Sequence, residues 1–291
     1  MKCALVGIVG RPSAGKSTLM NRLCGAKVSI VSPVPQTTRN RIRGILTRPG
    51  GQLVFMDTPG FHLSEKKFNR YLTDLVSVTL GDADIVLYLV DGTRSVGAEE
   101  RALLQKLRLT AKPCIIAINK SDSRDRTWKE VRVAISEALP GIPVHEVSAL
   151  KGDGVDDLAS ALLGLAPEGD QLYPEEYYTD QDPPFRISEI IREKAIAHTR
   201  AELPHALYVR LEDLEMSDGG ERLHVRGFIL VERESQKGIV VGRGGEKIKA
   251  IVREAEQELR EIFPYEVSLD VRVKVDADWR KREPLLKRMI R

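Results

Sequence analysis

Up to about residue 166, short apolar runs alternate with longer stretches whose apolar positions recur every three to four residues. The runs Cys3–Val9, Gln52–Asp57, Asp84–Asp91, Pro113–Asn119 and Pro143–Ser148 predict strands. The amphipathic stretches Lys16–Cys24, Lys67–Leu80, Ala98–Leu109, Thr127–Leu139 and Gly154–Leu165 predict helices between them. Near-continuous Val/Ile/Leu strands separated by helices predict an α/β domain, residues 1–166, with a mostly parallel sheet covered by helices on both faces.

The pattern changes after Ala166. Residues 167–183 are rich in proline, tyrosine and acids, have no period, and read as a linker. Residues 184–291 then predict a smaller α+β domain. Pro184–Leu203 is helical, and two strands, Ala206–Glu215 and Arg222–Glu232, are joined by Asp218-Gly219-Gly220, a hairpin signal. A short segment Ser235–Val241, a glycine loop, a charged helix Glu246–Phe263, a strand Val267–Val275 and a basic tail Trp279–Arg291 complete it.

Composition narrows the class. At 42% hydrophobic and 30% charged residues, the chain can bury a core, which excludes disorder as its dominant state. No apolar stretch approaches the roughly 18–20 residues that span a bilayer, and Met1–Gly10 is too short an apolar run for a signal peptide, so a cytoplasmic location is expected. Cys3, Cys24 and Cys114 sit among apolar residues and form neither a zinc nor a disulfide framework.

The first domain carries a nucleotide signature. Gly10-Arg11-Pro12-Ser13-Ala14-Gly15-Lys16-Ser17 fits G-x-x-x-x-G-K-[ST], follows a predicted strand and opens a helix that continues through Thr18. Backbone N–H groups of such a loop and the helix N-terminus cradle phosphates, Lys16 reaches the β- and γ-phosphates, and the Ser17 hydroxyl ligates Mg²⁺. Asp57-Thr58-Pro59-Gly60 ends the next apolar strand; Asp57 would hold Mg²⁺ through water and the Gly60 N–H would meet the γ-phosphate. Pro35–Arg41 supplies a threonine for Mg²⁺ that would sense the γ-phosphate, Thr38 being the candidate and Thr37 the alternative.

Asn119-Lys120-Ser121-Asp122 follows another strand. A carboxylate at Asp122 can accept from the ring N–H and exocyclic amine of guanine together, a donor pair adenine lacks. Ser148-Ala149-Leu150 would add a backbone N–H to the guanine carbonyl. Together these five segments predict GTP or GDP as ligand, with Mg²⁺, and Lys16, Thr38 and Gly60 as the catalytic residues. Phe61 stands where many such enzymes place a water-orienting glutamine, so hydrolysis is expected to be slow. The five histidines, His62, His145, His198, His205 and His224, are scattered and form no catalytic set.

In the second domain, Gly242-Arg243-Gly244-Gly245 fits the G-x-x-G loop that clamps a nucleic-acid backbone, with Lys237, Lys247 and Lys249 beside it. Ile239, Val240, Val241, Ile248 and Ile251 would wall a groove for unstacked bases; a helical hairpin with a packed core and solvated lysines is the alternative. Trp279-Arg280-Lys281-Arg282 places an aromatic ring beside dense positive charge, suiting single-stranded RNA, an anionic membrane or a solvated tail. The net charge of +3 conceals an asymmetry: residues 171–235 hold 8 bases and 14 acids, residues 236–291 hold 14 and 10. RNA contacts are therefore expected to start at Lys237.

These segments in this order resemble the bacterial Era GTPase family, of the TrmE-Era-EngA-like group, over essentially the whole chain. The resemblance implies a P-loop GTPase domain followed by a KH-type (type II) domain. It also implies a switch that binds the 3′ end of 16S ribosomal RNA and acts in assembly of the 30S subunit, with peripheral contact with the inner membrane in some members. The chain is read as a monomer. Many relatives carry asparagine at the position of Ser13, where it coordinates a catalytic potassium ion, so Ser13 speaks against K⁺ stimulation. An RNA chaperone with incidental turnover and a membrane-associated signalling GTPase are the alternatives.

Overall fold

The computed structural model describes residues 1–32, 34, 37–61, 67–123, 127–200, 203–217, 219–277 and 279, without the side chains of 67–74 and 205. Pro35 and Gln36 of the expected switch, His62 and Leu63 after Phe61, and Arg280, Lys281 and Arg282 of the tail lie outside the described residues. The chain divides into two compact units, the first formed by Met1–Ser29 and Thr38–Asp180.

In the first unit, β1 (Lys2–Val9), α1 (Lys16–Cys24), β2 (Ile42–Arg48), β3 (Gly51–Asp57), α2 (Lys67–Asp82) and β4 (Ile85–Asp91) are followed by five more elements. These are α3 (Ala98–Arg108), β5 (Cys114–Asn119), α4 (Trp128–Ala138), β6 (Val144–Glu146) and α5 (Val155–Leu165). The sheet order is β2-β3-β1-β4-β5-β6, parallel throughout except that β2 runs antiparallel to β3. Every residue of β3 and β4 is buried, as continuous apolar strands covered on both faces require. The chain leaves β1 between β3 and β4, where successive connections diverge to opposite sides. In open α/β sheets, ligands bind outside the carboxyl ends of strands at such a point.

The strand β2 was not predicted. Its sequence, Ile-Arg-Gly-Ile-Leu-Thr-Arg, carries two arginines and a glycine, tolerated because it lies toward the edge of the sheet. Residues 167–180, read from sequence as linker, are held on this sheet, first beside Lys2 of β1 at Glu168 and then against β3 and β2. The fully buried Gln52 accepts from the Leu172 and Tyr173 N–H groups, both at 3.0 Å, and donates to the Tyr173 carbonyl at 2.8 Å. The Ile45 N–H donates to the Tyr178 carbonyl, and Gly44 bridges Thr179.

The second unit takes in Gln181–Met289 together with Ile30–Thr37. Helix α6 (Pro183–Ala197) opens with a proline in its first turn and an Asp182 cap that accepts from the Phe185 N–H at 2.8 Å. Its Glu193 accepts from the Val31 N–H, and its buried Arg192 donates to the Thr37 carbonyl. There follow α7 (Leu203–Ala206), β7 (Tyr208–Met216), β8 (Arg222–Val231), α8 (Glu234–Val241), α9 (Glu246–Ile262) and β9 (Glu266–Val275). The central β8 pairs antiparallel with β7 and parallel with β9. Alternate residues of β8, Leu223, Val225, Ile229 and Val231, form the core with Ile187, Ile191, Ile251, Ala255 and Leu259 of the helices.

Candidate nucleotide and RNA sites

Four strands of the first sheet deliver the chemistry at their carboxyl ends: β1 leads into Gly10–Ser17, β3 ends at Asp57, β4 at Asp91 and β5 at Asn119. In the loop, Ser13 and Gly15 adopt positive φ, 62° and 94°. A side chain at Gly15 would strike the Asn119 amide at 2.3 Å, so glycine is required there.

Three hydroxyls from separate segments converge on one carboxylate oxygen. Asp57 Oδ2 accepts from Ser17 Oγ at 2.7 Å, Ser29 Oγ at 3.1 Å and Thr38 Oγ1 at 3.4 Å, and the Ser17 and Thr38 hydroxyls lie 2.9 Å apart. The other oxygen, Oδ1, is buried and has no hydrogen-bond partner among the described residues. A buried carboxylate oxygen left over beside two hydroxyls is a donor set of the hard-oxygen kind Mg²⁺ prefers. The residues present therefore fit the ion: Ser17, Thr38 and Asp57 would hold it.

Lys16 is buried, and its ammonium donates to the Gly10 and Arg11 carbonyls at 3.2 and 3.0 Å. Burial brings its pKa down to about 8, with Asp57 and Glu100 partly opposing the shift. Burial pushes the Asp57 carboxyl upward, opposed by Lys16 and by the three hydroxyls. Both shifts report charge poorly compensated by the protein alone, as expected where a polyanion and a cation are to be bound.

Behind this centre, Asn119 ties two loops together. Its amide donates to the Ala14 carbonyl at 2.8 Å, and its oxygen accepts from the Ala149 N–H at 2.9 Å. Asp122 accepts from Ser148 Oγ at 2.6 Å, which holds its carboxyl below the usual range. Lys120, at φ 70°, pairs with Asp91 at 2.6 Å. Gly60 packs on Pro12, where a Cβ would approach to 2.5 Å, and Thr58 donates to the Ile8 carbonyl. Leu150 is exposed beside the buried Ser148 and Ala149.

Phe61 differs from its grouping with the nucleotide residues. Its ring is buried in the core with Val9, Val86 and Leu103, and its N–H donates to the Gly10 carbonyl of the loop. Sequence reasoning missed Ser29 and Asp91. Asp91 ends an apolar strand just as Asp57 and Asn119 do, a signal that could have found it; nothing in the sequence marks Ser29.

In the second unit, Gly242–Gly245 links α8 to α9 through a single 3₁₀ turn, with φ of 74°, 59° and 80° at Gly242, Gly244 and Gly245. Arg243 and Lys249 are exposed, Lys237 and Lys247 half-buried. The expected groove wall is partly corrected: Val240 and Ile251 are core residues at 0% exposure, whereas Ile239 is 48% exposed. Trp279 is also corrected. It is wholly buried, its indole N–H donates to the Ala206 carbonyl at 3.0 Å and its ring stacks on Tyr208, so it offers no platform for a base. The sequence adjacent to a basic run suggested exposure; the partner carbonyl lies 73 residues away.

Comparison with known proteins agrees with this geometry. A family model described as a 50S ribosome-binding GTPase matches residues 5–120, and one for the KH domain matches residues 202–280. The chain is 48% identical to the GTPase Era of Treponema denticola, covering 99% of both, and 42% identical to that of Borreliella burgdorferi, covering 100% of both. An Aquifex aeolicus Era variant bound to GDP and tetrafluoroaluminate superposes with a TM-score of 0.94 at 35% identity, covering 99% of this chain and 98% of that one. An Era structure in complex with MgGDPNP and nucleotides 1506–1542 of 16S ribosomal RNA gives the same score, identity and coverage. With one nucleotide-loop domain and one KH domain in a single chain, and full-length identity of this order, the chain belongs to the Era family of GTPases.

Proposed function

We propose that the chain is a GTP-hydrolysing switch that binds the 3′ end of 16S ribosomal RNA and acts in assembly of the 30S subunit. The observation that carries this reading is the convergence of Ser17 and Thr38 on Asp57, with one carboxylate oxygen left without a partner. Thr38 comes from the segment that a γ-phosphate would order, so its placement makes the site sensitive to GTP against GDP. The RNA component rests on the KH domain and on the Era structure that contains a 16S fragment.

The residues divide the work. Backbone N–H groups of the Gly10–Ser17 loop other than Pro12, and of Gly60, with the Lys16 ammonium, stabilise charge on the phosphates as water attacks the γ-phosphorus. When bound, Mg²⁺ would neutralise phosphate charge, with the Ser17 and Thr38 hydroxyls holding it and Asp57 holding it through water. Asp122 reads guanine. The Ala149 N–H is taken by Asn119 and the Lys151 N–H by Ser148, so the base carbonyl falls to Leu150. The buried Phe61 ring cannot orient water, which makes intrinsic hydrolysis slow. Ser13 lacks the carbonyl oxygen of asparagine, so no potassium requirement is proposed. The nucleotide domain runs through Asp180 and the KH domain begins at Gln181; Lys237, Arg243, Lys247 and Lys249 face RNA around Gly242–Gly245.

We also propose that the protein works in the cytoplasm as a monomer, and that its basic C-terminal residues contact RNA or the inner membrane. No helix among the described residues is long and apolar enough to cross a membrane. The buried Phe61 also favours a second reading, an RNA-binding module for which nucleotide is a structural ligand. RNA affinity measured with a GTP analogue, with GDP and without nucleotide separates them. A nucleotide-dependent difference supports the switch; equal affinities refute it, because a ligand without differential affinity shifts nothing.

A further inference from the structure

The long side chain of the phosphate loop is turned away from it. Arg11 donates through Nη1 to Glu100 Oε2 at 3.1 Å and to the Ser95 carbonyl at 3.2 Å, and its Nε lies 3.7 Å from Glu99. All of these partners belong to α3 or the turn before it. Glu100 itself is 2% exposed, and its second oxygen accepts from the Tyr88 hydroxyl, whose ring is fully buried on β4. A chain of side chains thus runs from the rigid centre of the sheet, through Tyr88 and Glu100, to the first variable residue of the loop.

That arrangement is expensive as a packing device. Burial pushes the Glu100 carboxyl upward against the favourable contacts with Tyr88 and Arg11. Apolar residues of similar volume commonly stabilise a core as well as a buried ion pair or better. What the apolar alternative could not do is fix the Arg11 backbone. Its carbonyl is one of two acceptors for Lys16, and the neighbouring Gly10 carbonyl takes both Lys16 and the Phe61 N–H.

We infer that Glu100 is a positioning residue for GTP binding: anchored by Tyr88, it holds Arg11 and thereby sets the phosphate loop in its binding conformation before nucleotide arrives. A preorganised loop loses less freedom on binding, so the benefit falls on nucleotide retention rather than on the chemical step. The inference rests on reading Gly10–Ser17 as the nucleotide site.

The test uses Glu100→Gln, Arg11→Met and the double variant in the full chain, with GTP turnover and dissociation of a fluorescent GDP as readouts. Each single variant is expected to raise KM and the GDP dissociation rate about fivefold to tenfold, with kcat within about twofold. The double variant should be no worse than the worse single, because both break one connection. Arg11→Lys should recover part of the loss. A Glu100→Gln protein with a lowered melting temperature but unchanged KM and GDP dissociation overturns the role, as do multiplicative effects in the double variant. If Glu100→Gln does not fold, Arg11→Met decides alone: unchanged KM overturns the inference, and raised KM relieved in Arg11→Lys supports it. Wild-type protein that fails to bind GDP would refute the site reading itself, whereas normal binding with unresponsive variants refutes only the role of Glu100.

Discussion

The indole N–H of Trp279 donates to the carbonyl of Ala206, closing the start of the C-terminal segment onto the turn that precedes β7. A ring that is wholly buried and stacked on Tyr208 belongs to the fold of this domain. Removing it leaves a cavity and an unpaired carbonyl. Trp279→Ala should lower stability by about 3–5 kcal/mol, and Trp279→Phe, which keeps most of the ring and loses the hydrogen bond, by about 1–2 kcal/mol. Denaturant midpoints give these values. RNA affinity of folded Trp279→Phe should stay within about twofold of wild type, since no base stacks on this ring.

Asp122→Asn should exchange the base preference. The carboxylate accepts from two guanine donors, whereas an amide in its place sets its own NH₂ against the exocyclic amine of guanine, and in xanthine that NH₂ instead donates to the carbonyl that replaces the amine. GTP affinity should fall at least about tenfold and xanthosine triphosphate should gain, a contrast set by leaving polar groups unpaired. Competition binding with both nucleotides reads it directly; retained GTP selectivity would remove Asp122 from the base site.

Lys16 gives a pH dependence with opposite signs for folding and for binding. Its pKa falls from 10.5 in the unfolded chain to about 8 in the nucleotide-free fold. Between these values the unfolded chain holds more protons, so nucleotide-free stability should rise with pH across the window 8 to 10.5, by up to about 3 kcal/mol. Phosphate oxygens beside the ammonium favour its charged form, so nucleotide binding above about pH 8 takes up a proton and GDP affinity should fall as pH rises. Calorimetric titration in buffers of different ionisation enthalpy measures that uptake, and its absence at pH 9 would contradict the assignment.

Asn119→Ala tests the tie between the two loops. It leaves the Ala14 carbonyl and the Ala149 N–H, both buried, without the amide that now joins them. The cost should be about 1–3 kcal/mol of stability for each group left unpaired, together with a large loss of both GTP and GDP affinity. Thermal melts with and without nucleotide separate the two effects.

The parallel strands and the nucleotide loops were legible because each depends on local pattern. A continuous apolar run ending in Asp57 or Asn119 announces both a buried strand and what stands at its tip. The strand β2 was not legible, because Arg43 and Arg48 break its apolar pattern and its pairing with β3 is decided by the neighbour rather than by its own residues. The strapping of residues 172 and 173 by Gln52 hides for the same reason: a lone polar residue in an apolar strand says that it needs partners, not where they are. Val240 and Ile251 were misplaced in a groove because helical spacing marks an apolar stripe without saying which half of it is covered. Glu100 was invisible, since a glutamate in the first turn of a helix is ordinarily a solvated group favoured by the helix dipole.

Gly244 and Gly242 separate the two demands on the RNA loop. Both have positive φ, but a Cβ on Gly244 would meet nothing within 4 Å, whereas one on Gly242 would meet the Lys247 backbone nitrogen at 3.0 Å and its side chain at 2.9 Å. Gly244→Asp therefore adds about 1 kcal/mol of backbone strain and a negative charge at an open surface beside Arg243, where a phosphate would otherwise approach. The fold and kcat for GTP should survive while RNA affinity drops by at least about tenfold, and the drop should shrink at higher salt as charge repulsion is screened. Gly244→Ala carries the strain without the charge, so it should retain most of the RNA affinity. Equal losses in both variants would mean that the backbone conformation, and not the charge facing a phosphate, controls the loop. Filter-binding isotherms at two salt concentrations, paired with phosphate-release rates, distinguish these outcomes.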